Sequence, residues 1–111
     1  MTDKELLEAA ARAAGLKYAT KPEEGDELGR IYSEHLGLWI WHFPDWWNPL
    51  RDDGDALRLA VKLELDLCLT LHGAKASMPN EISADCWNKD DPYAAVRRAI
   101  VRAAAEIGRT K

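Results

Sequence analysis

The sequence predicts an α+β fold: an antiparallel sheet of about four strands packed by three helices, in the order α-β-β-α-β-β-α. Three observations predict it. Segments near both ends and in the middle of the chain carry apolar stripes at helical spacing between recognisable start and stop signals. Other stretches alternate apolar and polar residues with a period of two. The connections between neighbours are short, which favours hairpins and therefore antiparallel pairing.

The first helix opens at Thr2, with Glu5 three residues later as a capping box. Leu6, Leu7, Ala10, Ala13 and Ala14 form its stripe, and Gly15 stops it. "LKYAT" (16–20) offers a further short strand outside the main order. "KPEEGDELG" combines two glycines, a proline and four acids and reads as a solvated loop. Two strands follow, "RIYS" (30–33) and "LWIWHF" (38–43), around the turn "EHLG". Prolines 44 and 49 each remove a ladder donor, so "PDWWNPL" reads as a loop.

Asp52 or Asp53 caps the second helix, where Leu57, Ala60, Val61 and Leu65 repeat at helical spacing above a polar face with Arg58 and Lys62. Then Leu65, Leu67, Leu69 and Leu71 alternate with Asp66, Cys68, Thr70 and His72. A loop around "GAKASMPN" returns the chain into "EISADCW" (81–87). Matching apolar faces pairs Leu71 with Ile82, Leu69 with Ala84, and Leu67 with Cys86. Cys68 then points away from Cys86, and no disulfide joins them. The last helix has Asp91 as cap, Pro92 in its first turn and Gly108 as its end, with Tyr93, Val96, Ile100, Ala103 and Ile107 as the buried stripe.

A length of 111 residues suits one domain, residues 1–111, able to bury about two thirds of its unfolded surface. Apolar residues at 47% and charged ones at 31% exclude a disordered chain. No apolar run approaches the ~20 residues of a membrane span, and the acidic N-terminus does not resemble a signal peptide. Two cysteines without a secretory signal suit a reducing cytoplasm. The net charge of −4 is uneven. Residues 92–111 hold five basic groups against Glu106 alone, a net +4, which leaves −8 on residues 1–91. A basic helix on an acidic body binds an anion or pairs with its own acidic neighbours, and net charge favours the second.

Four of the five tryptophans fall between Trp39 and Trp47. Within 38–43, Leu38, Ile40 and His42 face one side and Trp39, Trp41 and Phe43 the other, so both faces are apolar, as in a strand covered twice. Trp39, Trp41 and Trp47 are expected in the core and Trp46 at an exposed contact. As the rings of a proline-stiffened loop, Trp46 and Trp47 are the candidate interface. An aromatic sugar platform would need several rings left exposed.

The segments "WNPLRDDGDALRLAVKLELDL" and "DDPYAAVRRAIVRAAAEIG" resemble a family of small uncharacterised proteins encoded by tailed bacteriophages and prophages of Gram-negative bacteria. The resemblance covers residues 47–67 and 91–108, and the layout is similar to the phage α/β/α sandwich domains. It implies a phage or prophage origin and action in the host bacterial cytoplasm. It carries over no activity and no catalytic residue.

Chemistry is hard to find in the chain. Counted from Asp52, the sixth and twelfth residues of "DDGDALRLAVKL" are Leu57 and Leu63, where a calcium loop needs glycine and glutamate. Cys68 and His72 make one loose pair, without the second pair of a structural zinc site. There is no nucleophile elbow and no phosphate loop. No catalytic residue, cofactor or metal is therefore expected. Arg97, Arg98 and Arg102 are the candidate anion contact, although the acidic body opposes nucleic acid. The expected function is that of a non-enzymatic accessory protein acting by protein–protein contact, with an unidentified host or phage protein or a second copy as partner and no membrane. The alternative is association with nucleic acid through the arginine-rich C-terminal helix. An enzyme with an unrecognised carboxylate site would show itself by a deep pocket gathering several acids.

Overall fold

The computed structural model describes residues 1–71, 73–78 and 82–109, with Ile82 described by its backbone alone. Helix α1 spans Asp3–Ala14, and β1 (Tyr32–Ser33), β2 (Gly37–Ile40) and β3 (Asp45–Trp47) follow. Helix α2 (Asp53–Lys62) leads into β4 (Asp66–Leu69), β5 (Gly73–Met78) and β6 (Ile82–Trp87), and α3 (Pro92–Arg109) comes last. The protein is α+β, and the described residues form three α-helices and two antiparallel sheets of three strands each, ordered β1-β2-β3 and β4-β5-β6. This corrects the expected single sheet of about four strands, because two segments read as loops are strands.

The first is β3. Pro44 and Pro49 bracket its three residues without entering the ladder, which pairs Leu38 with Trp47, Trp39 with Trp46 and Ile40 with Asp45. The second is β5. Its inward residues are Ala74 and Ala76, buried beneath α3, and alanine, glycine and serine carry little strand signal. With β5 between them, β4 and β6 run parallel, not paired as a hairpin. Leu67 lies across from Ala76 and then Ala84, and Leu69 across from Ala74 and then Cys86. The expected pairing of Leu67 with Cys86 and Leu69 with Ala84 is thereby corrected. Cys68 and Cys86 do fall on opposite faces, as free thiols, one exposed and one buried.

Thr2 caps α1 through the reciprocal box with Glu5, and Gly15 closes it at φ 74°. Leu7 and Ala11 pack on Leu38 and Ile40 of β2, while Leu6, Ala9 and Ala10 pack in the cluster built around α3. Being covered on two sides, α1 buries Ala9 and Ala11 as well as the expected stripe. Segment 17–19 extends the β1 edge of β2: Ala19 N–H donates to the Trp39 carbonyl and Trp41 N–H to the Lys17 carbonyl.

Two further expectations change. Helix α2 presses its small face, Ala56, Leu59 and Ala60, into the core and leaves Leu57 and Val61 in solvent. Several overlapping stripes share the helical period, and close approach to neighbouring elements selects the one with alanines. Helix α3, capped by Asp91 through the Ala94 N–H at 3.0 Å, runs through Gly108 to Arg109. A Cβ on Gly108 would collide with the Ala9 carbonyl, so this glycine lets α1 and α3 touch rather than ending the helix.

A candidate interaction surface on the edge of the second sheet

Helix α3 packs across β5 and β6, and β4 projects beyond it. The apolar side chains of β4 therefore face the helix side of the sheet with no helix directly over them. Leu69 is 64% exposed and Leu71, just past the strand, 81%. Opposite them stand Leu57 of α2, 59% exposed, and Tyr93 of α3, 71% exposed. Together with Leu67 and Ile100 these residues line an open groove of about 540 Å³. The expected burial of Tyr93 in the α3 stripe is thus corrected: its first turn overhangs the groove.

The backbone of β4 is also open. The Thr70 N–H donates to the Gly73 carbonyl at 2.9 Å, so Thr70 faces β5. Antiparallel alternation then turns the amides and carbonyls of Leu67 and Leu69 to the outer edge, where no strand pairs with them among the described residues. Sequence reasoning found the leucine alternation but assigned it to the core. Nothing in the pattern itself says that the covering helix lies one strand further on.

The candidate interface residues Trp46 and Trp47 leave β3 on opposite faces. Trp47 packs against both apolar clusters and is a wall of the core. Trp46, half-buried, meets Trp39 edge to face, with centroids 5.3 Å apart and planes at 72°, and the Arg30 guanidinium lies 5.5 Å from its ring. Those rings engage each other and do not make a flat platform. Trp41, expected in the core, is 43% exposed because β2 ends at Ile40 and residues 41–44 turn into β3. The Lys17 ammonium lies 5.7 Å from its ring.

The candidate anion contact also divides. Arg97 donates to the Leu50 carbonyl at 2.9 Å and to Asp53 at 2.7 Å, tying α3 to the start of α2. Arg98 and Arg102 sit elsewhere, lining a groove of about 590 Å³ with Arg109, which the sequence reading missed. The spacing held that information: positions 98, 102 and 109 share one helical stripe, and 97 is a hundred degrees away. Carboxylates share this groove. Arg98 pairs with Asp3 at 3.2 Å, Arg109 with Glu106 at 2.8 Å, and Asp85 lines the wall. Arg102 donates to the Cys86 sulfur at 3.6 Å.

The acidic segment 52–55 is used internally. Asp52 caps α2 through the Asp55 N–H at 2.8 Å, Asp53 holds Arg97, and Asp55 accepts the Asn48 N–H at 3.0 Å and Arg58 at 2.7 Å. Among the described residues, no three His, Cys, Asp or Glu side chains gather as a metal site. His72, paired with Cys68 in the sequence reading, lies outside the described residues. No helix among the described residues is long and apolar enough to cross a membrane. No protein-family model, curated protein or solved structure matches this chain.

Proposed function

We propose that the protein is a non-enzymatic, phage- or prophage-encoded accessory protein that acts by protein–protein contact in the bacterial cytoplasm, through the groove between β4, α2 and α3. One observation carries the contact surface: Leu57, Leu69, Leu71 and Tyr93 are all more than half exposed around a single groove that adjoins an open strand edge. Contiguous apolar surface of this kind marks an interaction site, and an edge with free amides and carbonyls accepts a further strand. The resemblance of residues 47–67 and 91–108 to phage-encoded proteins supports the origin and the compartment. The Trp46–Trp47 interface has less support, since Trp47 is a core wall and Trp46 is engaged by Trp39 and Arg30.

The test is affinity capture from nuclease-treated host lysate with the wild type, a Leu57→Lys/Tyr93→Lys variant and a Trp46→Ala variant, each checked for folding. The groove variant is expected to lose a stoichiometric protein partner that the wild type and Trp46→Ala retain. Equal capture by all three would overturn the groove. A second reading, association with nucleic acid, is favoured by Arg98, Arg102 and Arg109 sharing one groove, and opposed by the carboxylates among them. Salt-sensitive retention on DNA, lost in Arg102→Ala, would favour that reading.

A further inference from the structure

The partner on this surface need not be foreign. A second copy of this chain brings the same unpaired edge, and self-pairing there rests on the proposal that the groove is a contact surface. Two β4 strands related by a two-fold axis perpendicular to the sheet run antiparallel, with both leucine faces on the helix side. We infer that β4 pairs with β4 of a second copy about an axis at Cys68, joining the two three-stranded sheets into one continuous sheet.

The register follows from groups already placed. The axis must keep apolar residues opposite apolar ones, because a slip by one residue turns one set of leucines to the other face. Centred on Cys68, Leu67 of each copy lies opposite Leu69 of the other. Their outward amides and carbonyls then meet as hydrogen-bonded pairs. Asp66 lies opposite the neutral Thr70. Centring on Leu67 instead would bring the two Asp66 carboxylates to diagonal positions about 7–8 Å apart, a like-charge contact. Centring on Leu69 places Leu67 opposite Leu71, two residues beyond the end of β4. Charge and strand length together select the Cys68 axis.

The exposed apolar surface is also continuous. Leu57, Leu69, Leu71 and Tyr93, each more than half exposed, line one groove with Leu67, and a second copy seated there adds apolar contact to the strand pairing, as a standard interface of ~800 Å² per partner requires. The arrangement also sets the exposed Cys68 thiols face to face on the polar side of the sheet. As a non-hydrogen-bonded antiparallel pair, their Cα atoms stand about 4.5 Å apart, within reach of a disulfide.

The experiment is light scattering on the eluting full-length chain, with cross-linking by diamide, which takes the two thiol hydrogens as the S–S bond forms. The wild type is expected at twice the chain mass, and Leu69→Lys at the single mass with an unchanged far-ultraviolet circular dichroism spectrum. Diamide is expected to link the wild type through Cys68 and not to link Cys68→Ser. A Cys68→Ser/Ser83→Cys chain, with its thiol on β6, is expected to link more than about tenfold slower, because pairing raises the effective thiol concentration only at the axis. If Leu69→Lys does not fold, the cross-linking of the otherwise native chain decides. A wild type of single mass at high micromolar concentration overturns the inference, as does a dimer that survives Leu69→Lys and links no faster than the Ser83→Cys control. A monomer that still captures a protein through Leu57 and Tyr93 overturns the self-pairing alone and leaves the contact reading standing. A cross-linked dimer that captures nothing from the lysate supports the self-pairing while removing the foreign partner.

Discussion

Asn48 shows how a short motif becomes structure. Buried, it donates from its side-chain amide to the His35 carbonyl at 3.0 Å and accepts the Leu50 N–H at 3.2 Å. It thereby ties the β1–β2 turn to the chain entering α2. Its nearest neighbours in "WNPLRDDGDA" have internal tasks: Trp47 bridges the two apolar clusters, Pro49 is fully buried, and the Leu50 carbonyl holds Arg97. The same close packing constrains Gly37, whose φ of 89° and position against the Trp47 carbonyl leave no room for a Cβ. Gly15 has a similar φ of 74° but open space around it. Gly15→Ala should therefore cost only the left-handed backbone penalty, about 1 kcal/mol. Gly37→Ala adds a backbone clash and should cost about 3 kcal/mol or more. Urea unfolding of both variants checks the order, and equal losses would mean that packing at Gly37 is unimportant.

At the level of elements, caps and close contacts hold the architecture. Glu5 is held below the usual carboxylate range by hydrogen bonds from the Thr2 backbone and then its hydroxyl. Glu24 is held low in the same way by the Thr20 N–H and hydroxyl, each at 3.0 Å. In Asp26, burial raises the carboxyl, and hydrogen bonds led by the Arg30 backbone outweigh it. A carboxylate whose pKa falls on folding stabilises the fold above its unfolded value, and that contribution is lost as pH falls through the folded value. Stability should thus decline as pH drops below the ordinary carboxylate range and through the lowered folded values. Glu5→Gln/Glu24→Gln should decline less steeply over that window, read from urea midpoints at each pH. Identical slopes would assign the acid sensitivity to other groups.

Across the whole molecule, the basic C-terminal helix and the acidic body meet. Among the described residues two ion pairs join them, Arg97 with Asp53 and Arg98 with Asp3. They differ in burial: the Arg97 side chain is 15% exposed and also satisfies the Leu50 carbonyl, whereas Arg98 is 42% exposed. Arg97→Ala should cost about 1–3 kcal/mol, since it strands a part-buried acceptor. Arg98→Ala should stay within about 1 kcal/mol and weaken further with salt. Thermal unfolding at low and high ionic strength measures both, and similar losses would contradict the bridging role of Arg97. At this scale the uncovered β4 edge is where the core-forming pattern and the covering elements fall out of step along a whole strand.

The α+β class, the three helices, the caps at Thr2 and Asp91 and, as one of two candidates, the cap at Asp52 were legible in the chain, because each depends on residues within a few positions of one another. So was the opposition of Cys68 and Cys86, which needs only strand parity. Tertiary structure alone decided that "GAKASM" is a central strand and that Gly108 is a contact and not a stop. It also decided that the leucines of β4 meet solvent while the alanines of β5 meet α3. The physical reason is common to these cases. Apolar periodicity states which face of an element seeks cover, but cover is supplied by another segment. Where two elements approach closely it is the small residues that are buried, and these carry the weakest signal in the sequence.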